Sequence, residues 1–384
     1  MNTCIGWDVG GVNLKAVARS AAGDARALER PYEIWRAPAV LGRLLVEMGA
    51  ELGEAPLHAV TMTAELSDCF DTKREGVAAV VGAVVRAFPE SRVRVFGVKG
   101  FVPPERAKLK PLDVAGANWH ASATWLAREL PAGGILLDVG STTADVIPFG
   151  AGFVLARGAT DTARLLEGEL VYTGALRTPL GALLESAPLG GRECPVAAEH
   201  FAIVADAHLW LGAIEPAAYT CPTPDGRART REAAAARIAR MVCADRETLT
   251  DDDVTAIASR AAEIQILRIA RALARVAARL APEAETGVPA LATPRVFTAG
   301  SGDWLAEAAA RRAGLPFEAL ADRLGPVARL LPAWAVAQLA GAETGGRSPS
   351  EPMGLLGERG RRPPVSGASG ASRSTGRGRR PAHR

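Results

Sequence analysis

Two short acidic turns carry the chemistry this sequence can do. The first is Asp8-Val9-Gly10-Gly11-Val12-Asn13-Leu14-Lys15, the second Asp138-Val139-Gly140-Ser141-Thr142-Thr143-Ala144-Asp145. In each, an apolar run ends in Asp, small residues follow, and another apolar run begins. A β-hairpin of this kind gathers unpaired backbone N–H groups at its tip, a concavity that binds anions. The carboxylate at the strand end can hold hydrated Mg2+ over the phosphate oxygens cradled there. Strand-Asp-Gly turns are common hairpin chemistry, so a single copy would say little. Two copies in one chain make Asp8 and Asp138 the candidate catalytic and metal-holding carboxylates. Gly10, Gly11, Asn13, Lys15, Gly140, Ser141, Thr142 and Thr143 are the candidate phosphate-binding residues. Lys15 stands out further, because only five of the 45 basic residues are Lys. Where Arg has replaced Lys almost throughout, a surviving Lys points to a use for its compact charge.

Positioning these turns requires an alternation of strands and helices. Residues 1–20 read as one hairpin, with a third strand near 32–34. Helical periodicity follows at 39–53, 75–88 and 115–130, interleaved with apolar strands at 57–62 and 93–98. Pro131-Ala132-Gly133-Gly134 ends the last of these helices. A second hairpin spans 135–157, followed by a polar, Gly-punctuated stretch through 191. Helical segments are expected at 196–212, 232–243, 254–280, 303–313 and 327–339, with a loop at 220–229 and a strand within 291–299. This pattern is an α/β layer architecture. It divides into a first domain at 1–130, a second at 131–326, a helix at 327–340 returning to the first domain, and a tail at 341–384.

The bulk properties narrow the classes. At 384 residues the chain accommodates two domains. No apolar run is long enough to span a membrane, and the early strand, with no basic n-region or cleavage site before it, leads us to expect no secretory leader. Five cysteines, scattered and without a CxxC pair, point to the cytoplasm and away from zinc or a disulfide framework. The net charge of +3 is a property of the tail. Residues 341–384 hold nine Arg against three Glu, which leaves the other 340 residues at −3. The folded body therefore carries no nucleic-acid footprint. The tail is rich in Gly, Ser, Pro and Arg and is expected to be disordered.

A third motif lies at Thr298-Ala299-Gly300-Ser301-Gly302-Asp303-Trp304, a strand, a Gly turn and a helix start. Such a turn lets a ring or phosphate approach the backbone. The order hairpin, hairpin, Gly turn resembles the actin, Hsp70, sugar kinase and acetate kinase superfamily, with its two phosphate motifs and its adenosine motif. The resemblance implies two ribonuclease-H-like domains around a central cleft, with Asp8 and Asp138 flanking a metal–phosphate group and Asp145 at the end of the second hairpin. The third motif is shorter and plainer than the adenosine motif of bona fide kinases. Gly300, Ser301 and Gly302 are candidates for nucleotide or substrate contact.

Finer segments carry a narrower resemblance. Thr63-Ala64-Glu65-Leu66-Ser67-Asp68-Cys69-Phe70, Ala117-Asn118-Trp119, Gly168-Glu169-Leu170-Val171-Tyr172-Thr173-Gly174 and Arg177-Thr178-Pro179 resemble one branch of the hydantoinase/oxoprolinase-like proteins. That branch accompanies tetrahydromethanopterin-linked C1 transfer. The resemblance implies a transferase of methanofuran or methylofuran biosynthesis. It would join the phenol of γ-glutamyltyramine to an aminomethyl-furanmethyl diphosphate and release diphosphate. Its partners would be these small molecules, and Mg2+ its cofactor. The phenol, with a pKa of about 10, needs a proton acceptor. Glu65, Asp68 and His120 lie in or beside these segments and are the candidates. Arg177 is a candidate clamp for a substrate carboxylate, and Asn118 a candidate cleft residue. An ATP-dependent kinase or amidohydrolase would use the same three motifs, so ATP stays open.

Overall fold

The computed structural model describes residues 2–20, 22–280 and 293–344. Strands β1 (Asn2–Val9) and β2 (Asn13–Ser20) form the first hairpin, with Asp8 directly opposite Lys15. Strand β3 (Ala25–Pro31) continues the meander. Helix α1 (Leu41–Leu52) leads to β4 (Leu57–Met62), and α2 (Lys73–Ala87) to β5 (Arg92–Gly97), both strands parallel to β1. Strand β6 (Gly100–Val102) closes the edge, giving the order β3-β2-β1-β4-β5-β6. Helices α3 (Pro104–Leu109) and α4 (Asn118–Glu129) then cross to the second sheet.

That sheet repeats the plan. Strands β7 (Gly134–Val139) and β8 (Ala144–Gly150) form its hairpin, and β9 (Phe153–Val154) pairs with β8. Helix α5 (Asp161–Glu167) precedes β10 (Leu170–Val171). A mostly helical insertion follows: α6 (Leu180–Leu183), the ribbon β11 (Ser186–Leu189) and β12 (Arg192–Pro195), α7 (Val204–Trp210), α8 (Arg231–Arg240) and the long α9 (Asp251–Ala278). Strand β13 (Val296–Ala299), α10 (Asp303–Arg312) and β14 (Phe317–Ala319) complete the order β10-β8-β7-β13-β14. Helices α11 (Ala321–Leu324) and α12 (Leu331–Thr344) end the described chain. In both sheets a hairpin is flanked by strands parallel to its first member, the ribonuclease-H-like arrangement.

Strands β7 and β8 are buried at every position, because helices cover both faces of the sheet. Helix α12 is apolar on all sides and correspondingly buried. It packs on β1 and on α4, with Trp125 and Trp334 edge to face at 6.1 Å. Helix α4 in turn lies on β8. One apolar cluster thereby runs from Cys4 and Val17 through Trp125, Leu126 and Val336 to Leu136 and Ile147.

Several expected elements differ. The strand expected at 32–34 ends at Pro31, and Tyr32 and Ile34 instead donate their N–H groups to the first turn. The helix expected at 196–212 shrinks to α7. Residues before it run extended, with Ala197 N–H bonded to Met241 O and Ile203 bridged to Pro179. The stretch through 191 holds α5, β10, α6 and β11, which its polar, Gly-punctuated sequence concealed. The helix expected at 327–339 is a 3-10 segment, Gly325–Leu330, followed by α12. Residues 341–344 of the expected tail complete α12, and 345–384 lie outside the described residues.

Candidate active site

The two turns are built by the same device. In the first, Gly10 N–H closes the turn on Asn13 O (3.0 Å), while Val12 O and Gly11 O accept from Tyr32 N–H (2.8 Å) and Ile34 N–H (3.1 Å). In the second, Gly140 N–H closes on Thr143 O (2.9 Å). Gly140 O accepts from Ala175 N–H, and Ser141 O from the N–H groups of Leu176 and Arg177. Each turn therefore has its carbonyl side engaged by a supporting segment. Among the described residues the N–H groups of Gly11, Val12, Ser141 and Thr142 make no hydrogen bond. Asn13, Ser141, Thr142 and Thr143 are half-buried at these tips. Two sets of free donors of this kind suit an anion.

The carboxylates sit at the strand ends beneath the tips. Asp8 and Asp138 are buried, and Asp145 lies directly across the hairpin from Asp138, at the start of β8. Burial pushes Asp8 up to about 6; Glu29 and Asp145 add to the rise and Lys15 opposes it. Burial pushes Asp138 up to about 7, reinforced by Asp145 and Asp8 and again opposed by Lys15. The two hairpins, from different sheets, thus share one electrostatic site with Lys15 acting on both carboxylates. Asp8 Oδ1 is buried without a hydrogen-bond partner. An orphan carboxylate oxygen in a cluster of mutually repelling acids fits a divalent cation. Among the described residues no three His, Cys, Asp or Glu side chains make a closed metal cage. Mg2+ does not need one, since it takes one or two carboxylates and completes its shell with water and phosphate.

Asp145 is committed elsewhere. Burial raises its carboxyl, and Arg164, itself buried, opposes that rise through an ion pair and hydrogen bond. Arg164 also pairs with Asp161 (3.1 Å), and its guanidinium stacks 4.4 Å from the Trp119 ring. Asp161 reaches across to Lys73 on α2 (3.6 Å), joining the two halves beside Glu65. Glu65 follows β4, where Thr63 and Ala64 donate to Val9 O at the end of β1. It is 1% exposed, and burial lifts its carboxyl to about 7 against hydrogen bonds from its own N–H and that of Gly116. Its Oε2 has no partner.

The other sequence candidates separate. Asp68 is exposed on the 63–70 turn. His120 packs beside Trp119 and hydrogen-bonds Thr124 (3.2 Å); burial and the Arg164 charge hold its ring at about 4. Asn118 begins α4, and its carbonyl accepts from Ser122. Arg177 stacks over Trp35 at 5.0 Å. The Gly300 turn presses on the second hairpin. Gly300 has φ +92°, and a Cβ there would lie 2.3 Å from Val139 O and 2.4 Å from Asp138 Oδ1, so only glycine fits. Gly302 N–H is bonded to Val139 O (2.8 Å) and Gly300 N–H points to Ala328 O (3.4 Å), while Ser301 is exposed.

A buried polar relay behind the second turn was not anticipated. Gln265 on α9 donates through Nε2 to Gly174 O (2.7 Å) and Thr173 Oγ1 (2.8 Å), and its Oε1 accepts from His208 Nε2 (2.9 Å). Thr173 is hydrogen-bonded to Thr178 at 2.8 Å. Gly174 is wedged under the turn, where a Cβ would lie 2.6 Å from Gly140 O and from the Thr142 backbone. The signal was present in the helical pattern: Gln265 occupies a buried stripe otherwise made of Ala258, Ala261, Ile269 and Ala272.

Comparison with known proteins shows the family. Residues 57–339 match the model of the hydantoinase/oxoprolinase family. The chain belongs to that family. It is 39% identical over 258 residues to the (4-{4-[2-(gamma-L-glutamylamino)ethyl]phenoxymethyl}furan-2-yl)methanamine synthase of Methanocaldococcus jannaschii, covering 67% of this chain and 76% of that one. A protein of the same name from Methanococcus vannielii is 39% identical over 124 residues, 32% of this chain and 55% of that one. Among solved structures, a nucleotide-free acetone carboxylase aligns with a TM-score of 0.53 at 11% identity, over 88% of this chain and 70% of that one. That likeness extends to the fold. This hydantoinase/oxoprolinase-family chain has, among the described residues, no helix long and apolar enough to cross a membrane.

Proposed function

We propose that this protein is a transferase of methanofuran or methylofuran assembly. It condenses the phenol of γ-glutamyltyramine with an aminomethyl-furanmethyl diphosphate and releases diphosphate. The observation that carries the reading is the convergence of two N–H-presenting turns with Asp8, Asp138 and Lys15. It is supported by 39% identity to proteins named for the corresponding ether product.

In the reaction the bond between the furanmethyl carbon and a diphosphate oxygen breaks, and its electron pair leaves with diphosphate. The furan ring spreads the positive charge that develops on carbon. The phenol oxygen supplies the new bond and gives up its proton. Mg2+, held by Asp8 and Asp138, would neutralise charge on the leaving group. The free N–H groups of Gly11, Val12, Ser141 and Thr142, with Lys15 and the Thr142 and Thr143 hydroxyls, hold the diphosphate oxygens. Donors fixed in place before charge develops are the strongest device such a site has.

Glu65 is the proton acceptor. A carboxyl lifted to about 7 is well matched to general-base work near neutral pH, and its Oε2 is free. His120, held at about 4, is a much weaker base. Glu65 is closed off in this conformation, so acting as base requires the cleft to open beside it. The Gly300 and Gly302 amides are engaged within the fold, which supports a reaction that runs without ATP. Five free cysteines support a cytoplasmic setting.

The test is a mass-spectrometric and diphosphate-release assay with Mg2+, γ-glutamyltyramine and the furanmethyl diphosphate, with and without ATP. An ether product with stoichiometric diphosphate, independent of ATP, is the expected outcome. No ether product, with ATP hydrolysed instead, would refute the reading.

A further inference from the structure

A cavity of about 500 Å³ opens beside the two turns, within the range of small-molecule sites. It touches Val12 and Asn13 of the first turn and Ser141 of the second, so its occupant lies against whatever the turns hold. One wall is the 31–37 segment, with Tyr32 and Glu33; the other is Arg177 with Cys221 and Arg229 from the 220–229 loop. A second cavity of about 450 Å³ lies under α9, away from the turns. Its arginines are already engaged, Arg268 with the carbonyls of Ala182 and Leu183 and Arg260 with Glu193.

The charges on the first cavity do not balance. Glu33 is paired with Arg36 at 2.8 Å, which neutralises both. Arg177 and Arg229 have no carboxylate partner among the described residues, and both act on the buried Cys221 thiol, pulling against the rise that burial causes. Two guanidinium-bearing residues thus line one cavity. Arg177 is fixed there by its backbone N–H on Ser141 O and by the Trp35 indole, over which its Cζ lies. Stacking covers a face of a guanidinium and leaves its in-plane donors available, the fork that receives a carboxylate. The loop bearing Arg229 is tied down as well. Asp206, fully buried, accepts from Tyr219 Oη (3.0 Å) and Arg237 Nε (2.8 Å), and Arg237 also holds Asp225 (3.1 Å).

We propose that Arg177 and Arg229 bind the carboxylate of the acceptor's γ-glutamyl group and so select a glutamylated phenolic amine over the bare amine. This rests on the synthase reading and adds the residues that set acceptor specificity. An acceptor anchored at the arginines extends its phenol toward Asn13 and Ser141, where the diphosphate sits.

The test compares γ-glutamyltyramine with tyramine as acceptors for the full chain and for Arg177→Gln and Arg229→Gln. The wild type is expected to prefer γ-glutamyltyramine ~10–100-fold in kcat/KM, the scale of a hydrogen-bonded charge pair. Each variant is expected to lose most of that preference, through KM for γ-glutamyltyramine, and Arg177→Lys to restore part of it. Equal losses with both acceptors would overturn the proposal. So would a rise in KM for the furanmethyl diphosphate alone, which would place the arginines on the leaving group. Calorimetry with each acceptor separates this inference from the reading it rests on. Binding of γ-glutamyltyramine that Arg177→Gln weakens, in a protein forming no ether, would keep the subsite and sink the synthase. Equal affinity for γ-glutamyltyramine and tyramine would sink the subsite whatever the activity.

Discussion

Replacing Glu65 by Gln separates what this side chain does for catalysis from what it does to stability. Burial moves its carboxyl from the usual 4.5 to about 7. Keeping the ionised form inside the fold therefore costs on the order of 3 kcal/mol. The sign follows from linkage: a carboxyl raised in the folded state contributes stability that is full below its unfolded value and lost as pH rises through its folded value. Wild type loses that amount between about pH 5 and 8. Gln keeps the acceptor for the Glu65 and Gly116 N–H groups and never ionises. Glu65→Gln should match wild type at pH 5 and exceed it by about 3 kcal/mol at pH 8, a Tm gap of roughly 5 °C. Its turnover should fall ~10²–10⁴-fold, the usual worth of a general base. Melts across pH, with product quantified by mass spectrometry, read both effects. A Tm gap that ignores pH would refute the burial argument, and turnover within tenfold of wild type would refute the base.

Asp8→Asn and Asp138→Asn should each lower turnover at least ~100-fold, the scale of losing a preorganised charge-stabilising group. Because burial holds these carboxyls near 6 and 7, Mg2+ should raise the wild-type Tm strongly at pH 8 and little below pH 6; a shift uniform across pH would refute the metal site. Lys15→Met should raise KM for the diphosphate ester ~10–100-fold, as expected for one charge-assisted contact, and steady-state kinetics checks it. Gln265→Leu orphans Gly174 O and His208 Nε2 and should cost about 1–3 kcal/mol in denaturant melts. The same variant should raise KM for the diphosphate ester; an unchanged KM would make the relay a matter of packing alone.

What could be read ahead of the structure followed from how local each signal is. The hairpins were legible because apolar run, Asp, small residues and apolar run are contiguous. The convergence of Asp8, Lys15 and Asp138 was legible only through a resemblance, since no spacing in one chain says which two turns face each other. Arg164 escaped notice because an arginine in an Arg-rich protein looks like surface, yet it is 2% exposed and holds Asp145. Arg229 shares a cavity wall with Arg177 only after the 220–229 loop folds back, and Trp35 meets Arg177 from a segment more than 140 residues away. Glu65 was named for its neighbours in sequence; its raised carboxyl comes from burial, which outweighs the opposing Lys73 charge and Gly116 N–H. The polar stretch through 191 misled for a related reason. Its strands and helices are short, and they are held by cross-chain bonds such as Val146 N–H to Glu169 O rather than by periodicity.

The seat of α12 has a consequence for how the chain is made. The inner face of the first sheet, from Cys4 on β1 to Ala59 on β4, shares its apolar cluster with a helix at the far end of the described chain. Ribosomes extend a chain at about 5–20 residues per second. Strand β1 therefore leaves the ribosome tens of seconds before Leu331 does, and its apolar face waits uncovered for that time. The first half cannot finish folding until that helix emerges, and a nascent chain arrested before residue 331 should be captured by chaperones that a chain extended well past Thr344 escapes.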